Sequence, residues 1–540
     1  MNENVEQWRV RKDAVTSDKG AVASQHWLAA RAGAAMLAEG GNAVDAAVAC
    51  AMALNVVEPW MCGLGGSGFM VVWLAKEKRA HVLNFQGVLP QTIDNADYPL
   101  DPNEPLSLML YPGVKDKANE RGYGSITVPG AVAGLGRASE RFGRLAWERL
   151  LAPAIALAGR GIPVDWHASL QIGLAMDLLR RDPAASALYL PNGVPAAPER
   201  TLAVPALAQT LTTLAAEGPA AFYEGPLAAK IAGDLKAGGS KITVEDLAAY
   251  AVEEHDALSG RHRGAEVHTA GEMSGGLRLI EMLGYVAQNL DPGDRVGAET
   301  WIAYARGLDS AFATHKKKVG LDQPGGERVG GEQVGGCTSH MSAVDAEGNM
   351  VALTYTLLNR FGSGVVLPST GMLMNNSIAY FDPRPGNPVS LAGGKRINSS
   401  NMCPTIATRN GEAIFAVGAS GANHIVPCTA QITALLLDYG MSLEEAFHTP
   451  RIDASGRGSV RADPRMGEAA LAELQKVFTL EVAQQMVFPK LYSCPAGVSR
   501  DPQSGQCWGI ADVSSPIAGA ATPAPFSLAE EGVKAQTPRA

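Results

Sequence analysis

The sequence predicts an α/β protein, and three observations carry that expectation. Residues 27–54 read as an alanine-rich helix. Phe69-Met-Val-Val-Trp-Leu74 has the apolar, β-branched and aromatic content of a strand. Thr338-Ser-His-Met-Ser-Ala-Val344 and Met350-Val-Ala-Leu-Thr-Tyr-Thr356 flank Asp345-Ala-Glu-Gly-Asn349, whose glycine and asparagine suit a hairpin loop. Between these lies an Ala- and Leu-rich helical stretch over about 138–250, punctuated by Pro and Gly. Further strands are expected around 402–426, with a helix at 427–440. From Val513 the composition turns to Ser, Pro, Ala and Gly, and residues 513–540 are expected to be largely disordered.

If the hairpin loop closes symmetrically on Glu347, Val344 faces Met350, His340 faces Thr354 and Thr338 faces Thr356. Directly opposed side chains have Cβ atoms roughly 4.5–5.5 Å apart. Thr356 is then a candidate to hydrogen-bond Thr338. An ordinary half-buried hairpin whose threonines merely suit a strand remains the alternative.

The junction Gly335-Gly336-Cys337-Thr338 suggests chemistry. A threonine hydroxyl needs a neighbouring base, and a free α-amine on the same residue supplies one. Such an amine titrates at about 7.7–8.0, so part of it is unprotonated at neutral pH. Within an uncut chain that nitrogen is an amide. Cleavage between Cys337 and Thr338 would therefore activate Thr338, and the full chain is expected to be a zymogen. Cys337 is a rival nucleophile, but at the end of an upstream chain it has no α-amine to activate it.

The remaining motifs favour structural readings. Gly63-Leu64-Gly65-Gly66-Ser67-Gly68 satisfies GxGxxG, yet a dinucleotide site needs a strand before it and a helix after it, the reverse of the order here. Gly418-Ala-Ser420-Gly-Ala422 falls one residue short of a GxSxG elbow. For His340 and His424 no acidic partner is placed by the sequence, and both are expected to be packed or hydrogen-bonded structural residues. Lys316-Lys317-Lys318 is too short a charge run for nucleic acid and reads as a solvated helix face.

Net charge is −9 over 540 residues and the pI about 5.7, with no basic stripe, which argues against a nucleic-acid partner. The amino terminus lacks an apolar signal-like core, and no run reaches the roughly 18–20 apolar residues of a membrane span. A cytoplasmic protein without a membrane partner is expected. The seven cysteines lack CxxC spacing, so neither a disulfide framework nor a zinc site is expected. No metal or organic cofactor is required by the chemistry at Thr338.

From about residue 18 to about 455 the chain also carries an ordered set of segments: Glu39-Gly40-Gly41-Asn42-Ala43-Val44-Asp45-Ala46-Ala47, Val57-Glu58-Pro59, Gly63–Met70 as a glycine-rich run, Val128-Pro129-Gly130-Ala131-Val132-Ala133-Gly134-Leu135, Ile242-Thr-Val-Glu-Asp-Leu-Ala-Ala-Tyr250 and Ser274-Gly275-Gly276. After Thr338 come Asn375-Asn376, Lys395-Arg396, Pro404-Thr405 and Gly418-Ala419-Ser420-Gly421. In this order they resemble the γ-glutamyltransferase family of N-terminal-nucleophile hydrolases. The resemblance implies a four-layer αββα sandwich formed jointly by a large chain, residues 1–337, and a small chain, residues 338–540, after self-cleavage.

The resemblance also implies roles. Thr338 matches the family's catalytic threonine and Thr356 its supporting threonine. Gly421 and Ala422 match the residues whose N–H groups form the oxyanion hole, usually two glycines. Because a backbone donor needs no glycine, Ala422 is expected to be a mild departure; loss of one such donor typically costs about 10²–10³ in rate. The expected helix at 427–440 would add a favourable dipole there. Substrate-binding positions depart further. Gln86 stands where an arginine binds the glutamyl carboxylate, Tyr380 where an aspartate binds its amine, Leu358 where an asparagine is usual, and Ser377 where a glutamine or glutamate is common. The serine pair becomes Ser400-Asn401, with Ser399 as a shifted alternative.

A zwitterionic head group needs a cation and an anion, because unpaired buried charges are heavily penalised. Neither stands at the matching positions. The expectation is therefore an autoprocessing N-terminal-threonine amidohydrolase acting on a small-molecule amide through an acyl-threonine, with an acyl group lacking the α-amino acid head. Hydrolysis is preferred over transfer, since no acceptor site is visible in the sequence. The alternatives are a genuine γ-glutamyl hydrolase or transferase acting on glutathione and related amides, and a non-catalytic homologue acting as a binding protein. The expected partners are the substrate and the two chains of one precursor, alone or as a homo-oligomer of that unit.

Overall fold

In the computed structural model, residues 10–107, 109–320, 336–456 and 458–528 are described. Two seven-stranded antiparallel sheets form the centre. One runs in the spatial order Val15–Ser17, Cys507–Ala511, Cys494–Arg500, Glu412–Ser420, Thr405–Arg409, Ala265–Thr269 and Leu258–His262. The other runs Gly519–Ala521, Gly20–Ser24, Gly336–Asp345, Met350–Asn359, Ser67–Leu74, Arg79–Phe85 and Glu253–Asp256. Each sheet takes strands from both sides of the Cys337–Thr338 junction, so the segments expected as large and small chains share both sheets.

The inner faces meet in one apolar layer, with Ala21, Ala23, Phe69 and Val71 against Ile406, Ala416, Ala496 and Val498. Such burial of alternate residues on facing sheets is what a sandwich core requires. Helices Trp27–Ala38, Ala43–Val57, Ala131–Phe142 and Trp147–Arg160 share one outer core. Gly276–Asn289, Ala298–Lys318 and Ile425–Asp438 share the other. The architecture is the expected αββα sandwich. Among the described residues, no helix is long and apolar enough to cross a membrane.

The run expected as one helix over 27–54 is two helices. Asn42 breaks it by capping the second: its side chain accepts from Val44 and Asp45, while the Asp45 carboxylate accepts the Asn42 N–H. The hairpin loop locks onto this cap, because Asp345 Oδ2 accepts the N–H of Ala43 at 3.0 Å. Every residue of Ala43–Val57 is buried, which fits an apolar sequence without a polar face.

The expectation of disorder from residue 513 is corrected as far as residue 528. Ile517 and Ala518 are buried, and Gly519–Ala521 pairs antiparallel with Gly20–Ser24. Edge pairing satisfies a backbone whose composition alone suggests no order. Residues 529–540 of that expectation lie outside the described residues.

Candidate active site

The hairpin has the expected register through most of its length, with Val344 opposite Met350 and His340 opposite Thr354. Near the junction it departs: the register shifts between Cys337 and Ser339, so that Cys337 pairs with Leu358 rather than Leu357. Thr338 therefore sits in a bulge instead of directly facing Thr356, and an extra residue on the partner strand bends the local backbone. Leu358, beside the bulge, has a φ of 83°.

The bulge still brings the two threonines together. Thr338 Oγ1 donates to Thr356 Oγ1 at 3.3 Å. Thr356 Oγ1 also accepts the N–H of Leu358 at 2.8 Å and donates to the carbonyl of Cys337. One hydroxyl thus uses its single donor and both acceptor positions. Gly66 permits this close assembly, since a Cβ there would lie 2.6 Å from the Thr356 carbonyl oxygen. Cys337 and Thr338 belong to one strand.

Gly421 and Ala422 follow the strand Glu412–Ser420 and precede helix Ile425–Asp438. Among the described residues, neither N–H has an acceptor. Gly421 has a φ of 130° and Ala422 a φ of 51°. Ala422 thus occupies the left-handed region, which costs a non-glycine residue roughly 1–2 kcal/mol.

Five of the six expected substrate positions, all but Asn401, are buried. Leu358 and Tyr380 share an apolar cluster with Leu89, Ile378 and Phe381. Burial raises the Tyr380 phenol to about 12, opposed by its hydrogen bond with Ser400. Gln86 is fully buried; its Oε1 accepts from Ser67 Oγ at 3.4 Å, and Ser67 pairs with Thr356 across the sheet. Arg278 Nη1 donates to Asn401 Oδ1 at 2.7 Å and Arg278 Nη2 to the Ser400 carbonyl at 2.6 Å. Asn401 Nδ2 in turn reaches Asn423 Oδ1 at 2.6 Å, beside Ala422. Ser377 Oγ is buried without a partner among the described residues. Ser399, the shifted alternative, bonds His315 at 3.4 Å.

Several partnerships around the junction were not visible from sequence. Glu58 is buried and accepts from Ser339 Oγ at 2.6 Å, and burial raises its carboxyl to about 8 against that bond. His424 does have an acidic partner, Asp453, at 3.0 Å; the two are 29 residues apart, so only the fold joins them. His340 is the structural residue expected. It bonds Thr354 at 2.7 Å and Ser342 at 2.9 Å, and burial lowers it to about 3. Its ring packs on Gly418, where a Cβ would lie 2.3 Å away.

A cavity of about 120 Å³ adjoins the junction, with Cys337, Gly421, Ala422, Glu58, His167 and Arg360 in its wall. None of Gln86, Leu358, Ser377, Tyr380, Ser400 or Asn401 lines it.

Residues 29–320 and 309–521 match the family model described as gamma-glutamyltranspeptidase. The chain belongs to that family. It is an enzyme of the N-terminal-nucleophile amide hydrolase and acyltransferase type. The acylase ACY 1 proenzyme of Pseudomonas sp. (strain SE83) is 34% identical over 499 residues, covering 86% of this chain and 87% of that relative. The glutathione hydrolase proenzyme of Escherichia coli (strain K12) is 30% identical over 483 residues, covering 81% of each. The crystal structure of a cephalosporin acylase from Bacillus halodurans superposes with a TM-score of 0.82 at 25% identity, covering 97% of this chain and 99% of that one.

Proposed function

We propose that this family member is an autoprocessing amidohydrolase with Thr338 as its nucleophile, acting on a small-molecule amide whose acyl group lacks an α-amino acid head. The observation that carries the reading is the hydrogen-bonded series from Thr338 Oγ1 through Thr356 Oγ1 to the Cys337 carbonyl. Thr356 holds the attacking hydroxyl and polarises the carbonyl that it must attack.

In the first stage Thr338 Oγ adds to the Cys337 carbonyl carbon and its proton passes to the departing Thr338 nitrogen. The C–N bond breaks and an ester forms. Water then hydrolyses the ester, leaving a Cys337 carboxylate and a free Thr338 amine. In the second stage that amine takes the Oγ proton as Oγ attacks the substrate amide, and delivers it to the leaving nitrogen. The N–H groups of Gly421 and Ala422 stabilise the oxyanion, aided by the N-terminal end of helix Ile425–Asp438. Water releases the acid from the acyl-threonine.

The choice of acyl group is supported by Leu358 and Tyr380, which put apolar surface where a zwitterion would need charges. A denaturing gel with N-terminal sequencing of the wild type and Thr338→Ala tests the reaction. The wild type is expected as two chains, the smaller beginning at Thr338, and the variant as one. A wild type that remains a single chain would sink the reading.

A further inference from the structure

Arg278, in the helix Gly276–Asn289, is a buried cation held by neutral groups. It is 2% exposed and forms no ion pair among the described residues. Other arginines near the junction are set differently: Arg461 pairs with Glu481 at 3.0 Å, and the partly exposed Arg360 donates from Nε to Gln171 Oε1 at 2.7 Å. Burial lowers the Arg278 guanidinium to about 10, so it stays charged at neutral pH. Its carbon lies 5.2 Å from the centre of the Phe312 ring, a favourable but modest contact. Nε has no hydrogen-bond partner among the described residues. A charge so placed is costly to bury, and its two remaining nitrogens show what it holds.

Both reach one short segment. Nη1 donates to Asn401 Oδ1 at 2.7 Å and Nη2 to the Ser400 carbonyl at 2.6 Å. These acceptors stand on successive residues, where a planar fork engages both and a point-like ammonium does not match the spacing. The start of the same helix is tied to this segment too, through the Gly275 N–H on the Met402 carbonyl at 2.8 Å. Helix Ile425–Asp438 packs closely there: a Cβ on Gly275 would lie 2.6 Å from both the Asn401 carbonyl oxygen and Val426 Cγ2.

A guanidinium has donors only. It therefore fixes which way the Asn401 amide points, with the oxygen towards Arg278 and the nitrogen towards Asn423, whose Oδ1 accepts from Asn401 Nδ2 at 2.6 Å. Asn423 is the middle residue of the turn Ala422–His424, which follows Gly421. Without the guanidinium the Asn401 amide is free to turn over, and its oxygen has no proton to give to Asn423 Oδ1. One side chain thus links the buried charge to the turn that carries Gly421 and Ala422.

We propose that Arg278 is a positioning residue: by setting the polarity of the Asn401 amide it holds Asn423, and with it the backbone of Gly421 and Ala422. Asn401 then serves the turn rather than the acyl group. The coupling of Arg278 to Asn423 stands on the hydrogen bonds alone; its effect on turnover rests on the function proposed above.

Two measurements test this. The first is a set of thermal melts of the uncut Thr338→Ala chain carrying Arg278→Met, Asn423→Ala, or both. Members of one hydrogen-bond network are not additive, so the Tm loss from Asn423→Ala is expected to shrink to less than about half in the Arg278→Met chain. Additive losses would overturn the relay. If Arg278→Met does not fold, Arg278→Lys takes its place, since it keeps the charge without the fork.

The second is kcat and KM of the processed enzyme for glutaryl-anilide. Arg278→Met is expected to lower kcat by about 10–10²-fold, the scale of a displaced catalytic group, with KM changed by less than about threefold. Arg278→Lys is expected to fall between that variant and the wild type. A raised KM at unchanged kcat would show that Arg278 supports substrate binding instead, and would overturn its assignment to the turn. An inactive wild type would refute the proposed reaction, while the melts alone would still decide whether Arg278 is coupled to Asn423.

Discussion

Thr356 Oγ1 accepts a hydrogen bond from Thr338 Oγ1 at 3.3 Å and donates one to the carbonyl of Cys337. The proposed nucleophile and the bond it is proposed to cut therefore share one side chain, and that side chain is fully buried.

Thr356→Val keeps the shape and removes the hydroxyl. It leaves the Cys337 carbonyl without a donor and the Leu358 N–H without an acceptor. Autocleavage is expected to slow by about 10²–10³, the usual cost of losing a donor to a developing oxyanion. Thr356→Ser keeps the hydroxyl and is expected to cleave within about tenfold of the wild type. A gel time course of freshly expressed protein measures both.

Ala422 provides a test in the opposite direction. Its φ of 51° suits glycine, so Ala422→Gly relieves roughly 1–2 kcal/mol of strain and loses about 0.4–1 kcal/mol through the freer unfolded chain. The expected result is a small net gain in denaturant stability with turnover retained. Ala422→Val adds a β-branched side chain in a conformation that such residues avoid. It is expected to lower both stability and kcat as the amide shifts.

The sandwich was legible because its helices and central hairpin carry strong local patterns, and because the family segments keep their order. The Asn42 cap lies inside one of those segments, yet the alanine run around it concealed the break. The bulge at Thr338 was not legible: hairpin register follows from loop symmetry only while the ladder is regular, and here it slips by a residue. The partners Glu58 with Ser339, His424 with Asp453 and Arg360 with Gln171 are set by tertiary packing and leave no spacing pattern. Residues 513–528 misled because order there comes from pairing with Gly20–Ser24, whereas small residues predict none locally.

Glu58 supplies a pH signature. In the folded chain its carboxyl is raised to about 8 from the ordinary 4.5 by burial, so folding retains a proton that the unfolded chain has lost between those values. Its contribution to stability is full below about 4.5 and is lost as the pH rises through about 8. Thermal melts of Thr338→Ala, which avoids cleavage during the measurement, are expected to show a Tm falling over that window. Adding Glu58→Gln, which is neutral throughout and still accepts from Ser339, is expected to flatten the fall. An identical slope in both would show that Glu58 does not titrate there.

The acyl-binding role proposed for Leu358, Tyr380 and Gln86 leads to the sharpest prediction about substrate. If Leu358, Tyr380 and the neutral Gln86 hold the acyl group as proposed, a γ-glutamyl group brings an ammonium and a carboxylate to them, and desolvating either charge without a partner is costly. Glutaryl-anilide differs from γ-glutamyl-anilide only by the missing amine, and butyryl-anilide also lacks the carboxylate. The processed enzyme is expected to turn over both more efficiently than the γ-glutamyl compound, by at least about tenfold in kcat/KM, since a site lacking partners for buried polar groups discriminates strongly against them. Leu358→Asn places an amide among these residues, and it is expected to narrow that ratio by weakening butyryl turnover more than γ-glutamyl turnover. A wild type that prefers the γ-glutamyl compound would mean that the head group is held by residues other than these.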